Sequence, residues 1–234
     1  MSAYSEDIGA NTSWPTEATD RMNRMYRRQR HIYDGTRRYY LLGRDQLISG
    51  LQPERNASVL EIGCGTGRNL VSAARLYPDA QFFGIDVSTE MLTSAISAVS
   101  RCGLSARIRL AHGDGAAFDS ERLFGIASFD HIFVSYSLSM IPDWRRVLHA
   151  AVGRITPGGR LHIVDFGGQE RLPGIARTLL RRWLKVFDVT PRDDLKGALS
   201  SLADTSRCKL RFERPFRGYA QYAVLTLAPE PATP

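Results

Sequence analysis

Residues 59–69, VLEIGCGTGRN, decide how this chain is read. Two apolar residues lead into Glu61, and Gly63, Gly65 and Gly67 then alternate with other residues before the chain turns basic at Arg68. The apolar run has the length of a buried strand, and glycines placed directly after a strand let the backbone approach a ligand where a Cβ would clash. The spacing is not the GxGxxG register that seats a pyrophosphate on a helix N-terminus. A carboxylate just ahead of the loop would repel a diphosphate, whereas it suits a ligand that carries positive charge.

Outward from that loop, short apolar runs alternate with amphipathic stretches. SVLEI precedes a helix over about 67–77, QFFGID precedes one opened by Ser88, and RIRLAHGD and HIFVSYS follow. WRRVLHAAVGRI has helical spacing, Pro157-Gly158-Gly159 marks a turn, and GGRLHIVDF is the next strand. Apolar runs without strict alternation indicate strands buried on both faces, as in a parallel sheet covered by helices. Residues 169–206 hold a basic amphipathic segment and a second helical stretch, and CKLRFERPF with YAQYAVLTLA reads as a terminal hairpin. The expected architecture is a single doubly wound, Rossmann-like α/β domain over residues 51–234. Ahead of it stand a polar tail, residues 1–20, and an N-terminal helical lid, residues 21–50, with breaks at Gly35 and Gly43.

Bulk properties narrow the setting. The 234 residues are 43% hydrophobic and 24% charged, as in ordinary globular proteins. No stretch reaches the ~20 apolar residues of a membrane-spanning helix, and the N-terminus lacks a signal-peptide core, so a cytoplasmic location is expected, dissolved or bound to a surface. Cys64, Cys102 and Cys208 are far apart and form no CxxC pair, so neither a disulfide framework nor a metal site is expected. The formal charge of +7 permits an anionic partner without naming one.

In open α/β sheets, ligands bind beyond the carboxyl ends of the strands. Those ends here are Glu61, Asp86, His112-Gly113-Asp114, Ser135-Tyr136 and Asp165. Asp86 lies 19 residues after Gly67, a spacing that suits a carboxylate accepting both ribose hydroxyls. Asp114, followed by Gly115, is placed to accept from an adenine amino group, and Met91 to pack on the adenine face. Gly63, Cys64, Gly65, Gly67 and Asn69 line the loop side, with Val87, Gly113 and Ser135 completing the candidate cofactor set. An adenosyl ligand whose tail bears a sulfonium and an ammonium matches Glu61, and that ligand is S-adenosylmethionine.

VLEIGCGTG together with GID, GDG and FDHIFVSYSLSMI resembles the class I S-adenosylmethionine-dependent methyltransferases over about residues 55–228. The resemblance implies a seven-stranded sheet with the last strand antiparallel.

Two stretches fall outside that nucleotide core. In MYRRQRHIYDGTRRYYLLGRD, one helix over residues 26–44 would align Tyr26, Tyr33 and Tyr40, each four residues ahead of Arg30, Arg37 or Arg44. Tyrosine rings attract a methylated ammonium by about 0.5–2 kcal/mol per contact, and an arginine fork holds a carboxylate or phosphate. In RLPGIARTLLRRWLKVF, residues 171–187, Ile175, Leu179, Trp183 and Phe187 form an i, i+4 stripe with Arg177, Arg181, Arg182 and Lys185 elsewhere and no acid. A helix of that kind can lie in a membrane interface.

The lid followed by VLEIGCGTGRNL is similar to the bacterial betaine-lipid N-methyltransferases. That resemblance implies successive methylation of diacylglyceryl homoserine at an anionic membrane surface, and a functional link to the 3-amino-3-carboxypropyl transferase that makes that lipid. By it, Tyr33, Tyr39, Tyr40, Arg44 and Asp45 belong to the family pattern, while Gly35 departs from it. Tyr33, Tyr40 and Tyr136 are assigned to the methyl-transfer cavity. Arg44 is assigned to a carboxylate, of the cofactor or of the homoserine. Other readings are a phosphatidylethanolamine methyltransferase, a quinone or other small-molecule methyltransferase, and a cofactor-binding subunit without catalysis. Nucleic acid is not expected as a partner, because SYSLSM stands where base-amine methyltransferases carry D/N-P-P-Y/F.

Overall fold

A computed structural model describes residues 41–187 and 189–230. The tail and most of the lid, including Tyr33, Tyr39 and Tyr40, lie outside the described residues. The apolar runs do form strands: β1 (Ser58–Ile62), β2 (Gln81–Asp86), β3 (Ile108–His112), β4 (Phe129–Ser135) and β5 (Ile155–Phe166). With β6 (Cys208–Glu213) and β7 (Ala220–Leu227) they make one seven-stranded sheet in the order β3-β2-β1-β4-β5-β7-β6. β1 to β5 run parallel, and β7 lies antiparallel to both β5 and β6. The sheet is the expected doubly wound one, with the terminal hairpin in place. The strand order reverses between β1 and β4, which opens a crevice beyond their carboxyl ends.

Helices cover both faces. On one side, α1 (Arg44–Leu51), α2 (Arg68–Leu76) and α3 (Thr89–Arg101) bury Leu47, Ile48, Leu51, Leu70, Leu92 and Val99 against Val59, Phe82 and Phe133. On the other, α4 (Ser120–Phe124), α5 (Trp144–Val152) and α7 (Leu195–Thr205) bury Phe124, Trp144, Val147, Leu195 and Leu199. Between β5 and α7 runs α6 (Gly174–Val186), whose Leu184 is buried on the α1 side. The break read at Gly43 is real: this residue stands ahead of α1 with φ 89°, a backbone state that glycine adopts without a Cβ penalty. Ser88 caps α3 as expected, accepting the Met91 N–H at 3.3 Å.

Three local features differ from the sequence reading. Pro157-Gly158-Gly159 does not precede β5 but lies within it as an irregularity, so that Phe129 pairs with Ile155 while His131 pairs with Arg160. The five-residue α4 was not expected, since one turn is too short for an apolar period. Helix α6 ends at Val186, and Phe187 turns inward to pack on Trp183, so Val186 replaces it on the outward stripe. Among the described residues, no helix is long and apolar enough to cross a membrane.

His131 on β4 and His162 on β5 are packed core residues, with Nδ1 of the first 3.4 Å from Nε2 of the second. Burial lowers His131 from 6.5 to about 4 and His162 to about 3, and the Arg160 charge adds to both effects. Both therefore take up protons more readily in the unfolded chain, and their contribution to stability is lost as pH falls below 6.5. Asp165 has the opposite sign: burial raises it from 3.8 to about 6, so its proton favours the folded state as pH falls through that value. With two histidines against one aspartate, the unfolding free energy drops between pH 7 and 5.5, by about 1 kcal/mol per histidine before the Asp165 offset. Urea melts across that range are expected to show a flattened dependence in H131Q/H162Q, whereas a parental slope in the double variant would contradict this origin.

Candidate active site

The crevice between β1 and β4 is built by four connections. After β1, the backbone N–H groups of Gly63 and Cys64 both donate to the Ile85 carbonyl of β2, at 2.9 and 3.0 Å, so the loop is pinned across the strand ends. Gly63, Gly65 and Gly67 all take positive φ, and a Cβ on Gly63 would stand 2.7 Å from that of Ser137. The loop needs glycine there for both reasons. It then enters α2, whose first turn carries Asn69.

Asp86 ends β2 with little of its surface exposed and holds this loop to the next one. Its Oδ2 accepts the Gly65 N–H at 2.7 Å, and its Oδ1 accepts the Ser88 N–H at 2.9 Å. Each carboxylate oxygen has two acceptor sites, so the group can hold the loop and still receive ribose hydroxyls. Val87 follows it, and its carbonyl lies 3.0 Å from His112 Nε2 at the end of β3. Met91 is buried in the first turn of α3. After β3, Gly113 donates to the Asp86 carbonyl at 3.1 Å, and half-buried Asp114 accepts the Ala116 N–H at 2.9 Å through Oδ1. Gly115 is needed beneath, because a Cβ there would come 2.5 Å from Ile62.

On the β1 side, Glu61 is fully buried and its Oε1 accepts from Asn69 Nδ2 at 2.7 Å. Between Glu61 and Asp86 sits Cys64, whose thiol is pushed well above its ordinary pKa by burial, then by Asp86 and Glu61. It is therefore a protonated packing residue rather than a nucleophile. Two carboxylates flanking one loop make a site for a cation and a poor one for a pyrophosphate.

The β4 loop closes the crevice. The buried Ser135 Oγ has no hydrogen-bond partner among the described residues, which marks a polar position on the wall. Ser137 Oγ donates to the Ile62 carbonyl at 3.2 Å. Behind it, Asp165 of β5 accepts the Ser139 N–H at 3.0 Å and the Phe166 N–H at 2.7 Å, and Arg192 donates to the Leu138 and Ile141 carbonyls at 3.1 and 2.8 Å. Asp165 is wholly buried and acts on the site by positioning this loop. Ser137 and Arg192 were missed in the sequence, where neither carries a motif.

Tyr136 and Arg44 are engaged on the α1 side. Tyr136, at φ 55°, is buried against Phe166 with ring centroids 4.7 Å apart, and its hydroxyl donates to the Leu42 carbonyl. It anchors the chain that enters α1. Arg44 pairs with its neighbour Asp45 at 2.7 Å.

The glycine loop, Asp86, Asp114 and Glu61 stand at the carboxyl ends of β1 to β3, and their chemistry fits S-adenosylmethionine. Residues 60–161 match the family described as a methyltransferase domain. Fold and site are similar to those of the class I S-adenosylmethionine-dependent methyltransferases. The chain is 31% identical over 151 residues to an O-methyltransferase, cnsE, of Penicillium expansum, covering 64% of this chain and 52% of that one. It is 27% identical over 146 residues to the demethylmenaquinone methyltransferase of Listeria monocytogenes, covering 62% and 56%. The chain thus spans about half the length of the curated relatives it matches. Among solved structures, the phosphoethanolamine N-methyltransferase 2 of Haemonchus contortus in complex with S-adenosyl-L-methionine superposes with a TM-score of 0.63 at 16% identity. That superposition covers 80% of this chain and 52% of that one, and it is a likeness of fold.

If Asp86 carries the ribose, Asp86→Ala loses two hydrogen bonds to a charged acceptor, each worth about 1.5–3 kcal/mol. Isothermal titration with S-adenosylmethionine is then expected to show affinity at least about 100-fold weaker. Unchanged affinity would overturn the ribose assignment.

Proposed function

We propose that the chain methylates the amine of a lipid head group, and specifically that it converts diacylglyceryl homoserine to its trimethyl betaine form in successive steps. The reading is carried by one observation: a segment of alternating tyrosines and arginines, residues 26–44, stands directly ahead of the methyltransferase core. When bound, S-adenosylmethionine supplies an electrophilic methyl group on its sulfonium. The protein's part is chiefly to position and desolvate an amine that must be neutral to react. The first two methylations leave a protonated amine that has to lose a proton before the next, while the third leaves a fixed cation. Tyrosine rings stabilise that growing cation through their faces, a role that Tyr33 and Tyr40 suit. Asp86, Glu61 and Asp114 hold the donor, and the β4 loop, braced by Asp165 and Arg192, forms the wall opposite. Arg44 suits a carboxylate of the donor or of the homoserine, exchanging its present Asp45 partner for it.

A second reading, methylation of a quinone ring, is favoured by the similarity to the demethylmenaquinone methyltransferase over the core. Mass spectrometry separates the two. Lipids from cells that express this chain and are supplied with diacylglyceryl homoserine are expected to gain one, two and three methyl groups on that lipid. An Asp86→Ala strain should gain none. Methylation confined to phosphatidylethanolamine, or to a quinone, would overturn the proposal.

A further inference from the structure

We propose that α6 is a docking helix that seats the protein on an anionic lipid surface beside the mouth of the crevice. Its apolar arc is wider than the other described residues cover. Leu180, Leu184 and Phe187 already pack on the α1-side core. Continuing around the helix at 3.6 residues per turn, Ile175, Leu179 and Val186 remain 79%, 64% and 69% exposed. Trp183 lies between the two sets, 37% exposed and packed on Phe187. An aliphatic ridge turned to solvent on a helix covering the sheet is a feature that a self-sufficient fold has no need of.

The charges next to the ridge indicate what covers it. Exposed Arg182 and Lys185 lie along the side of the stripe away from the core. Arg181, further round, is engaged by Asp193 at 2.9 Å, and no acid occurs between Arg171 and Phe187. Cations bordering an apolar ridge with an interfacial tryptophan match the boundary between anionic head groups and acyl chains.

The position suits delivery of a lipid. Helix α6 begins eight residues after β5 ends, at the carboxyl edge of the sheet where the crevice opens. The turn leading into it is stitched to the β6–β7 connection by the Arg171 N–H to the Arg217 carbonyl at 3.3 Å. There Phe216 and Leu42 are also partly exposed, and a Cβ on Gly43 would reach the Phe216 ring at 3.4 Å. Phe216 and Leu42 thus add exposed apolar surface beside the anchor that Tyr136 makes with Leu42. The inference deepens the lipid-amine reading, but its test does not depend on which amine is methylated.

The test is sedimentation of the full chain with vesicles of phosphatidylcholine alone or mixed with phosphatidylglycerol. The parent is expected to pellet with the mixed vesicles and to be released by high salt. I175E/L179E and R182E/K185E should each bind at least about tenfold more weakly while keeping the parental melting temperature and S-adenosylmethionine affinity. Binding of both variants at the parental level would overturn the proposal, as would no pelleting of the parent with either vesicle. So would a parental dimer in light scattering that I175E/L179E dissolves, since the ridge would then be a self-interface. Loss of vesicle binding in both variants, together with methylation by the parent of a soluble amine only, would uphold the docking surface and refute the lipid substrate.

Discussion

The Asp86 carboxylate is the interaction on which the rest of the site depends. With one oxygen on the Gly65 N–H and the other on the Ser88 N–H, it ties the loop after β1 to the start of α3. A single buried charge thereby fixes two things at once: the path of the glycine loop and the capped start of α3. Hydrogen bonds to a charged acceptor are stronger than neutral ones, and more so out of water. The same acid, together with Glu61, sets the sign of the field in the crevice and keeps Cys64 protonated. The choice of a cationic adenosyl ligand over a dinucleotide follows from these two carboxylates and from glycine spacing, not from the fold, which both ligand classes share.

The opposite wall is held by a second buried acid. Asp165 and Arg192 do not reach toward the donor; they take up the backbone groups of residues 138–141 and so fix the loop that faces Gly63. A buried carboxylate with two N–H donors, within the field of a guanidinium, keeps the loop in one conformation. The two buried acids thus divide the bracing of the crevice, Asp86 on the glycine loop and Asp165 on the loop after β4.

Much of this was legible because it is local. The strands announce themselves as uninterrupted apolar runs, the glycine loop by its spacing, Ser88 by its capping position, and Asp86 by its distance from Gly67. The remainder depends on contacts distant in sequence. The Tyr136 hydroxyl meets a carbonyl 94 residues away, and a tyrosine at a strand end reads equally well as a cavity residue. Arg192 bonds to backbone carbonyls, which no side-chain pattern encodes. Ser137 matters because Gly63 has no Cβ, a relation visible only when β1 and β4 lie side by side. On α6, the sequence yields an apolar arc but not which part of it the core will take.

The central claim is that an adenosyl sulfonium ligand rests on the glycine loop, with its ribose on Asp86. A crystal structure of the full chain grown with S-adenosylmethionine tests it most directly. The account predicts ribose hydroxyls on Asp86, the adenine amino group at Asp114, and the amino-acid tail over the loop beside Glu61. A ligand bound elsewhere, or a dinucleotide pyrophosphate seated on the Gly63–Gly67 turn, would contradict it.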